Sequence, residues 1–422
     1  MRFSAVKGVQ DILPPDVYVW QRAEAAAARV FGSYGFHEVR PPVMEFTEVF
    51  VRSIGETSDI VSKEMYTFDD RGGRSITLRP EGTAPIVRGY VEHHLYNLPS
   101  PQKFFYRGPM FRYERPQKGR LRQFYQIGAE AFGSPGPAMD AEMLSMLGRF
   151  LEEAGVGGLS FEVNSIGCEQ CRPAFREALR DFFRPRLPAL CPDCARRFEH
   201  NPLRILDCKV PACVEQKGGA PKVSDFLCPD CAAHFSELRR MLDALGVPHV
   251  VNPAMVRGLD YYTRTTFEVT TDRLGAQNAV AAGGRYDRLV EEFGGPPTPA
   301  IGFALGMERL VALMKEAAPE APSPAVFIAF KGAEAGLEAL KLADALRGKG
   351  VWAELGQEGA SLKSQFRRAD RLGATLVFVI GEDELREGAA GWKDLRDGSS
   401  GRVAMGEAVD FFRQRDGRAP SP

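Results

Sequence analysis

The chain has 422 residues, more than one hydrophobic core usually holds, so we expect at least two domains. Apolar residues make up 44% and charged residues 26%, and no run approaches the roughly 20 apolar residues that a membrane-spanning helix needs. The formal net charge of −1 gives no support for nucleic-acid binding, so any RNA contact must come from local basic patches. The first residues lack the apolar segment of a secretory signal, and we expect a soluble cytoplasmic protein without a membrane partner.

The pattern of apolar residues in the first 310 positions predicts helices packed on a sheet. Residues 16–34 carry apolar side chains at three- and four-residue spacing and predict an amphipathic helix. From Phe36 the pattern is extended, and Pro41-Pro42 prevents a helix from continuing. Later strand-like runs predict an α+β fold on a mainly antiparallel sheet with flanking helices: 103–107, 109–114, 123–130, 160–164, 262–270 and 300–305.

Two further regions interrupt or follow this sheet. Residues 168–245 contain all eight cysteines and helical segments, which we interpret as a mostly helical insertion. Residues 315–324 have the Pro- and Ala-rich composition of a linker, so we expect one domain at 1–320 and a second at 325–422. The second domain alternates strands and helices, which predicts a small, mainly parallel α/β domain: 325–330, 334–347, 351–355, 361–371 and 375–380.

The predicted strands at 109–114 and 123–130 enclose the basic loop 115–122. Side chains alternate along a strand, so Arg112 and Glu114 share one face. The second strand places four residues on one face: Phe124, Gln126, Gly128 and Glu130. A guanidinium can bind phosphate, a carboxylate can bind an ammonium group, and a phenyl ring can stack on a purine. These three groups together suit a binding site for ATP and an amino acid. The alternative is a surface hairpin whose arginine and glutamate pair with each other.

Phe111-Arg112-Tyr113-Glu114 and its loop resemble motif 2 of the class II aminoacyl-tRNA synthetases. The resemblance implies that Arg112 binds the α-phosphate of ATP and that Glu114 binds the adenine side. It also implies that Phe124 stacks on the base and that Gln126 and Glu130 face the amino acid, with Gln126 reaching ATP as well. In the loop, Gln117 and Arg122 are expected to contact tRNA.

Two other segments are similar to class II motifs. Residues 301–310 have a strand-then-helix pattern with Gly302 and Gly306, and Glu308-Arg309 resembles the end of motif 3. The resemblance implies that Arg309 binds adenine and the γ-phosphate. The helix at 16–34 with Pro42 is similar to motif 1, which forms the dimer interface of the class, so a homodimer is expected.

Three segments resemble the histidine-specific members of the class. In Arg79-Pro-Glu-Gly-Thr83, the residues Glu81, Gly82 and Thr83 would bind the amino acid, with Glu81 accepting from its ammonium. The alternative is a capped start of a helix at 84–95. Another of the three segments, 281–287, resembles a histidine-specific motif whose glycines let a ligand lie against the backbone.

The remaining segment, Arg257-Gly-Leu-Asp-Tyr-Tyr262, resembles the first histidine-specific motif. The resemblance places Tyr261 and Tyr262 at the histidine, with Tyr262 and Glu130 holding the imidazole. Arg257 and Arg112 are the expected catalytic residues, both binding the reacting histidine and the α-phosphate. A structural salt bridge between Arg257 and Asp260 is the alternative.

The resemblance implies ATP-dependent ligation of L-histidine to tRNA(His) through a histidyl-adenylate, releasing AMP and diphosphate, with Mg²⁺ accompanying ATP. Residues 1–320 would be the catalytic domain and 325–422 the anticodon-binding domain. In the second domain Lys363, Arg367, Arg368 and Arg371 share one predicted helix, which is either an RNA-binding or a solvated face. One competing hypothesis is a non-catalytic paralogue such as the regulatory subunit of ATP phosphoribosyltransferase. Another is a class II synthetase for threonine, proline or glycine.

The cysteines raise a separate question. Cys191-Pro-Asp-Cys194 and Cys228-Pro-Asp-Cys231 are near copies of a metal-binding knuckle, and together they predict one tetrahedral zinc site. Four cysteines are left over by this pairing: Cys168, Cys171, Cys208 and Cys213. The alternative is that the thiols are reduced and bind no metal.

Overall fold

The computed structural model describes residues 3–55, 58, 60–115, 120–256, 261–274, 278–315 and 322–416. The chain divides into two compact units, an N-terminal unit Met1–Pro319 and a C-terminal unit Glu320–Pro422. Within the described residues, no helix is both long and apolar enough to cross a membrane.

The N-terminal unit contains ten helices and eleven strands among its described residues. Its helices are α1 (Asp16–Ser33), α2 (Thr47–Ile54), α3 (Thr83–Glu92), α4 (Pro137–Glu153), α5 (Arg172–Phe183), α6 (Pro192–His200), α7 (Pro211–Gln216), α8 (Pro229–Ala244), α9 (Leu289–Glu292) and α10 (Met307–Met314). Its strands are β1 (His37–Glu38), β2 (Met44–Phe46), β3 (Tyr66–Asp69), β4 (Ser75–Leu78), β5 (Gln102–Phe111), β6 (Gln123–Phe132), β7 (Ser160–Ser165), β8 (His249–Val251), β9 (Thr263–Thr270), β10 (Ala279–Arg285) and β11 (Ala300–Gly306).

Eight of these strands form one sheet in the order β1-β5-β6-β11-β10-β9-β7-β8. Every neighbouring pair from β5 to β7 is antiparallel, and only the edge pairs β1/β5 and β7/β8 are parallel. The predicted fold class, a mainly antiparallel sheet with flanking helices, is confirmed. The three remaining strands form a small separate sheet, β2-β4-β3.

One prediction about the strands is wrong in detail. The runs 103–107 and 109–114 form a single strand, β5, which passes through Gly108 and Pro109 and ends at Phe111. Pro109 is tolerated in the strand because proline lacks only the backbone N–H donor. Pro109 still pairs with Tyr125 of β6. Arg112 and Glu114 therefore follow the strand rather than lie in it, although the Arg112 amide still donates to the carbonyl of Arg122 at 2.9 Å.

Helices α1, α4 and α10 cover one face of the large sheet with apolar side chains. Phe31 of α1 lies at the centre of this core, with its ring 5.6 Å from that of Phe105 on β5 and 5.3 Å from that of Phe150 on α4. Burying a phenylalanine side chain of this kind contributes about 1.5–3 kcal/mol to stability. Polar side chains lie at the middle of the opposite face of the sheet.

A buried charge network ties the helix-covered face of the sheet to two of its helices. Arg285 at the end of β10 is fully buried and pairs with Asp140 of α4. The second oxygen of Asp140 accepts from the Thr265 hydroxyl at 2.6 Å and lies 2.8 Å from Nε2 of His234 on α8. Because each polar group here has a partner, the network fixes α4 and α8 against β9 and β10.

The insertion is mostly helical, as predicted, and contains α5, α6, α7 and α8. Its apolar core is small and includes Phe175, Phe183 and Phe198 together with three buried cysteines. A core of this size supplies limited stability, so cross-links between its segments would contribute strongly.

The C-terminal unit contains β12 (Val326–Phe330), α11 (Ala333–Arg347), β13 (Ala353–Leu355), α12 (Leu362–Arg371), β14 (Leu376–Ile380), α13 (Glu382–Glu387), β15 (Ala389–Asp394), β16 (Ser400–Ala404) and α14 (Ala408–Asp416). The order is β13-β12-β14-β15-β16, and the first three strands are parallel. The expected β-α-β-α-β core is present, but β15 and β16 add an antiparallel hairpin, so the sheet is mixed. The hairpin was missed because its two strands, the partly buried β15 and the largely exposed β16, carry little apolar alternation.

Candidate active site

A cleft lies on the polar face of the eight-stranded sheet. Ile301 and Leu305 of β11 point into the core beneath α1, so the alternate residues Gly302, Ala304 and Gly306 point to the opposite face. There they line a cavity of about 270 Å³ together with residues of β6, β9 and β10. Several of the residues selected from the sequence line this cleft, among them Arg112, Phe124 and Tyr262.

One end of the cleft carries a cluster of guanidinium groups. Arg120 Nη1 lies 3.1 Å from Glu114 Oε2, and Arg112 Nη1 lies 3.9 Å from Glu114 Oε1. Arg309, in the first turn of α10, donates to the carbonyl of Ala279 at 2.6 Å. Burial, and next the charge of Arg120, lower the pKa of Arg309. Three guanidinium groups therefore gather at this end of the cleft, where they could bind an anion.

Arg112 is held in a fixed position at this end. Its Nε donates to the carbonyl of Pro80 at 2.8 Å, and its guanidinium lies over the ring of Phe124, 5.2 Å from the ring centroid. The backbone contact and the cation–π contact each restrict a flexible side chain. Arg112 and Phe124 thus line the cleft as a pair.

Glu308, the residue before Arg309, joins α10 to β6. Both of its oxygens accept from the backbone amide of Tyr125, at 2.9 Å and 3.2 Å. Burial raises the pKa of Glu308 to about 7, although these hydrogen bonds oppose the shift. Glu308 therefore orients the start of α10, and with it Arg309.

The other end of the cleft is built around the start of α3. Glu81 accepts from the backbone amides of Thr83 at 2.7 Å and Ala84 at 2.8 Å, so it caps the helix. The same carboxylate lines the cleft, as does Thr83. Burial raises the pKa of Glu81. The capped helix start and the binding site proposed for this segment are thus compatible.

Glu130 of β6 lies beneath this end of the cleft and is fully buried. One oxygen accepts from the Thr83 hydroxyl at 2.8 Å, and the other accepts from the Tyr286 hydroxyl. Burial raises the pKa of Glu130 to about 8, although both hydrogen bonds lower it. Glu130 therefore supports Thr83 and Tyr286 from below and is not itself among the lining residues of the cleft.

Glu130 fits only because its neighbour on β11 is glycine. Gly302 pairs with Glu130 across the two strands. A Cβ at position 302 would lie 1.6 Å from Glu130 Oε2 and 2.8 Å from the carbonyl of Ala129. A similar close approach occurs at Gly82, which is packed against the ring of Tyr106 rather than lining the cleft.

Aromatic rings form the wall above Glu130. Tyr261 and Tyr262 immediately precede β9, and their ring centroids are 4.7 Å apart. The ring of Tyr286 lies edge-on to Tyr261 at 5.6 Å. Burial raises the pKa values of Tyr261 and Tyr286 well above their ordinary range, so both hydroxyls stay protonated. The wall combines apolar surface with hydroxyl groups.

Gln126 lies between the two ends of the cleft. Its Oε1 is buried and has no hydrogen-bond partner among the residues that the structure describes. A buried polar atom without a partner is costly in a folded protein. The Gln126 Oε1 atom is therefore available to accept a hydrogen bond inside the cleft.

Of the other predicted residues, Arg122 lies at the base of the loop, its guanidinium 4.0 Å from the centroid of the Tyr113 ring. Arg257 and Gln117 lie outside the described residues. The lining residues that were not selected from the sequence include Arg120, Glu268 and Tyr286. Tyr286 falls in the glycine segment 281–287, but nothing in the local pattern distinguished Arg120 or Glu268 from surface charges.

The predicted grouping of the cysteines is wrong. Cys191, Cys194, Cys228 and Cys231 do not share one site, because the two knuckles belong to different clusters. Cys228 and Cys231 lie with Cys168 and Cys171, whereas Cys191 and Cys194 lie with Cys208 and Cys213. The four cysteines left over by the sequence argument thus complete both clusters.

Models of known families match nearly the whole chain. The model described as histidyl-tRNA synthetase matches residues 8–170 and 225–310, leaving out most of the insertion. The model described as an anticodon binding domain matches residues 325–415.

Full-length relatives agree with these matches. The histidine–tRNA ligase of Thermodesulfovibrio yellowstonii is 51% identical over 416 residues, covering 98% of this chain and 99% of the relative. The histidine–tRNA ligase of Syntrophotalea carbinolica is 53% identical, covering 96% and 97%. The apo crystal structure of S. aureus histidyl-tRNA synthetase is 37% identical with a TM-score of 0.83, covering 98% of this chain and 100% of that one. On these full-length likenesses and the shared fold, the chain belongs to the histidyl-tRNA synthetase family.

Proposed function

We propose that this protein ligates L-histidine to tRNA(His) in two steps, through an enzyme-bound histidyl-adenylate. One observation carries the proposal. A single cleft has a guanidinium cluster at one end and the Glu81 carboxylate with three tyrosines at the other, and the Glu130 carboxyl group is buried beneath that end. Triphosphate and amino acid can therefore bind end to end, with the carboxylate of the amino acid near the α-phosphate.

ATP occupies the positive end in this proposal. Arg112 binds the α-phosphate, and Arg309 binds adenine and the γ-phosphate. Phe124 offers its ring to the base, and Glu114 and Gln126 accept from the nucleotide. These roles come from the resemblance to motifs 2 and 3, and they are supported by the shared lining of the cleft and the fixed position of Arg112. ATP enters as its Mg²⁺ complex, and the guanidinium groups neutralise the charge that develops on the α-phosphate.

Histidine occupies the other end. Glu81 and Thr83 bind its ammonium group, and Tyr261 and Tyr262 enclose the imidazole. Glu130 acts through Thr83 and Tyr286, whose hydroxyls it holds, and Gly82 allows the backbone to pack closely before α3. A site that hydrogen-bonds a polar side chain discriminates strongly against amino acids that leave its buried groups unpaired.

The histidine carboxylate then attacks the α-phosphorus, a bond to the bridging oxygen breaks, and diphosphate leaves. Arg257 is proposed to act beside Arg112 in this step and on the histidine; this assignment comes from the sequence motif alone. The protein supplies positioning and charge, and no protein nucleophile is required. In the second step a ribose hydroxyl of the terminal adenosine of tRNA attacks the activated carbonyl, and AMP leaves.

The tRNA contacts are proposed for both units. Gln117 and Arg122 would contact the acceptor end, and the C-terminal unit would bind the anticodon, in keeping with the family model that it matches. Lys363, Arg367 and Arg371 are exposed at four-residue spacing along α12, so they share one face suited to RNA phosphates. We also propose a homodimer, as the motif 1 segment implies.

Amino-acid-dependent exchange of pyrophosphate into ATP tests the first step. Of the twenty amino acids, histidine alone should support rapid exchange. A regulatory paralogue of ATP phosphoribosyltransferase would support none, and a threonine, proline or glycine enzyme would respond to its own substrate. Either of those results would overturn the proposal.

A further inference from the structure

All eight cysteines of the insertion lie in two separate clusters of four. The first, here called cluster A, is formed by Cys168, Cys171, Cys228 and Cys231. The second, cluster B, is formed by Cys191, Cys194, Cys208 and Cys213. Within each cluster the four sulfur atoms lie within 4.8 Å of one another. The two clusters contain all the cysteines of the chain. Cysteines that only pack in an apolar core would not be expected to gather in two complete sets of four.

The sulfur spacing matches the geometry of a tetrahedral metal site. A zinc–sulfur bond of about 2.3 Å places the ligand sulfurs about 3.8 Å apart along the edges of the tetrahedron. In cluster A, Cys168 Sγ lies 3.7 Å from Cys171 Sγ and 3.8 Å from Cys228 Sγ. In cluster B, Cys191 Sγ lies 4.0 Å from Cys208 Sγ. The clusters thus have room for an ion at their centres with almost no movement of the side chains.

The same distances exclude disulfides as the reason for the clustering. A disulfide brings two sulfur atoms to about 2.05 Å and involves them in pairs. All eight cysteines are free, and Cys168 approaches two different partners at nearly equal distances. Four mutually close thiols, rather than two pairs, are the donor set of a single metal ion.

Local backbone structure supports the same conclusion. Each cluster is made of two pairs, and all four pairs have two or four residues between the cysteines, the spacing of structural zinc ligands. Cys191 and Cys228 precede α6 and α8 with nearly the same backbone angles, φ −67° and ψ 158° or 161°. Their amides donate to sulfurs of their own clusters, at 3.2 Å to Cys213 and 3.1 Å to Cys171. Such N–H···S bonds stabilise the thiolate form that binds metal.

We propose that the insertion binds two zinc ions, one held by the four cysteines of cluster A and one by the four cysteines of cluster B. Both sites are closed, since four thiolates fill a tetrahedral zinc ion and leave no position for substrate. The ions are structural. This assignment is independent of the proposed ligase reaction, which uses no residue of either cluster.

The two sites are nested along the chain, which explains why two are present. Cluster A joins residues at the start of the insertion to residues near its end, since Cys168 and Cys228 are 60 positions apart in the sequence. Cluster B lies inside that loop and joins α6 to the segment before and within α7. Because the apolar core of the insertion is small, metal cross-links replace part of the hydrophobic stabilisation that it lacks.

The test is the metal content of the full-length, untagged protein, purified under reducing conditions without added metal and measured by plasma mass spectrometry. Two zinc ions per chain are expected. Cys168→Ser/Cys171→Ser and Cys208→Ser/Cys213→Ser should each lose one. His200→Ala, which removes an exposed potential ligand from α6, should keep both.

A second measurement on the wild-type chain avoids relying on variants that may fold poorly. A mercurial that displaces zinc from thiolates should release two equivalents to a metal indicator, and cobalt(II) exchanged into the protein should absorb as a tetrahedral tetrathiolate complex. One zinc or none per chain, iron in place of zinc, or cysteines found as disulfides by mass spectrometry would each overturn the proposal.

Discussion

The hydroxyl of Thr83 donates to Glu130 Oε1 at 2.8 Å, which joins the start of α3 to the floor of the cleft. The pair connects two residues that sequence analysis assigned separately to the amino acid. Glu130 is fully buried, and this burial raises its pKa to about 8. The carboxyl group is therefore mainly protonated near neutral pH. A neutral carboxyl group whose pKa is close to the physiological range therefore lies beneath the cleft.

The first prediction concerns stability as a function of pH. The pKa of Glu130 is raised in the folded protein from its ordinary 4.5 to about 8, so the folded state holds this proton more tightly than the unfolded state. The contribution of the Glu130 proton to the free energy of unfolding is fully present below about pH 4.5 and is lost as the pH rises through about 8. Glu130→Gln keeps a neutral hydrogen-bonding group and removes the titration. The free energy of unfolding should therefore fall less steeply with rising pH in Glu130→Gln than in the wild type.

Urea denaturation across this pH window checks the prediction. Glu334→Gln, at an exposed position on α11, serves as the control and should follow the wild-type slope. Parallel slopes for wild type and Glu130→Gln would show that Glu130 does not titrate as described.

The second prediction concerns the glycine beside Glu130. In Gly302→Ala the new Cβ would occupy the position of Glu130 Oε2, forcing the carboxyl away from Thr83 and Tyr286. Overpacking of this kind costs about 1–3 kcal/mol. Histidine-dependent pyrophosphate exchange should fall as well, because the floor of the cleft moves.

Gly306→Ala, on the same strand as Gly302, is the matched control for stability, since its Cβ would meet nothing closer than Arg309 Cδ at 4.0 Å. Denaturation midpoints of the two variants should differ clearly. Equal midpoints would mean that Glu130 adjusts without cost.

Much of the fold and part of the cleft could be predicted because the signals are local. Period-two alternation correctly placed Phe124 and Gln126 on one face of β6, and the strand-to-helix pattern placed Arg309 in the first turn of α10. The C-terminal order of strands and helices followed from apolar segments of the right length.

The rest depended on contacts between distant segments. No local pattern distinguishes Arg120 from its loop neighbours, yet it lies 3.1 Å from Glu114 in the cleft. The two Cys-Pro-Asp-Cys knuckles look like partners because their sequences match, but the chain folds each against a different, less similar pair. Nested pairing of this kind is set by topology, which spacing alone does not determine.

The third prediction links cluster A to the histidine end of the cleft. Arg172, directly after Cys171, donates to the carbonyl of Tyr262, and the amide of Arg264 donates to Gly167, beside Cys168, at 2.9 Å. Breaking cluster A with Cys168→Ser/Cys171→Ser should loosen Tyr262. The KM for histidine in pyrophosphate exchange should rise about tenfold, equivalent to about 1.4 kcal/mol.

Cluster B has no such connection among the described contacts, so Cys208→Ser/Cys213→Ser should raise that KM much less. The KM for ATP provides an internal reference in both variants. Equal effects of the two variants on the histidine KM would contradict the link.

The fourth prediction concerns the exposed cations of α12. Replacing Lys363, Arg367 and Arg371 together with alanine should raise the KM for tRNA in aminoacylation and leave pyrophosphate exchange unchanged. If each contacts a phosphate, the slope of log affinity against log salt should fall by up to about three. The control replaces three exposed lysines of the same unit: Lys331, Lys341 and Lys349. Similar tRNA kinetics for the two triple variants would remove α12 from the RNA interface.

The orientation of the two substrates in the cleft can be determined from a crystal structure of the protein incubated with ATP, Mg²⁺ and histidine. We expect density for histidyl-adenylate in the cleft, with the adenosine between Phe124 and Arg309, the phosphate at Arg112, and the imidazole beside Tyr261 and Tyr262. Adenylate bound elsewhere, or bound in the reverse direction with the imidazole at the guanidinium cluster, would contradict this proposal.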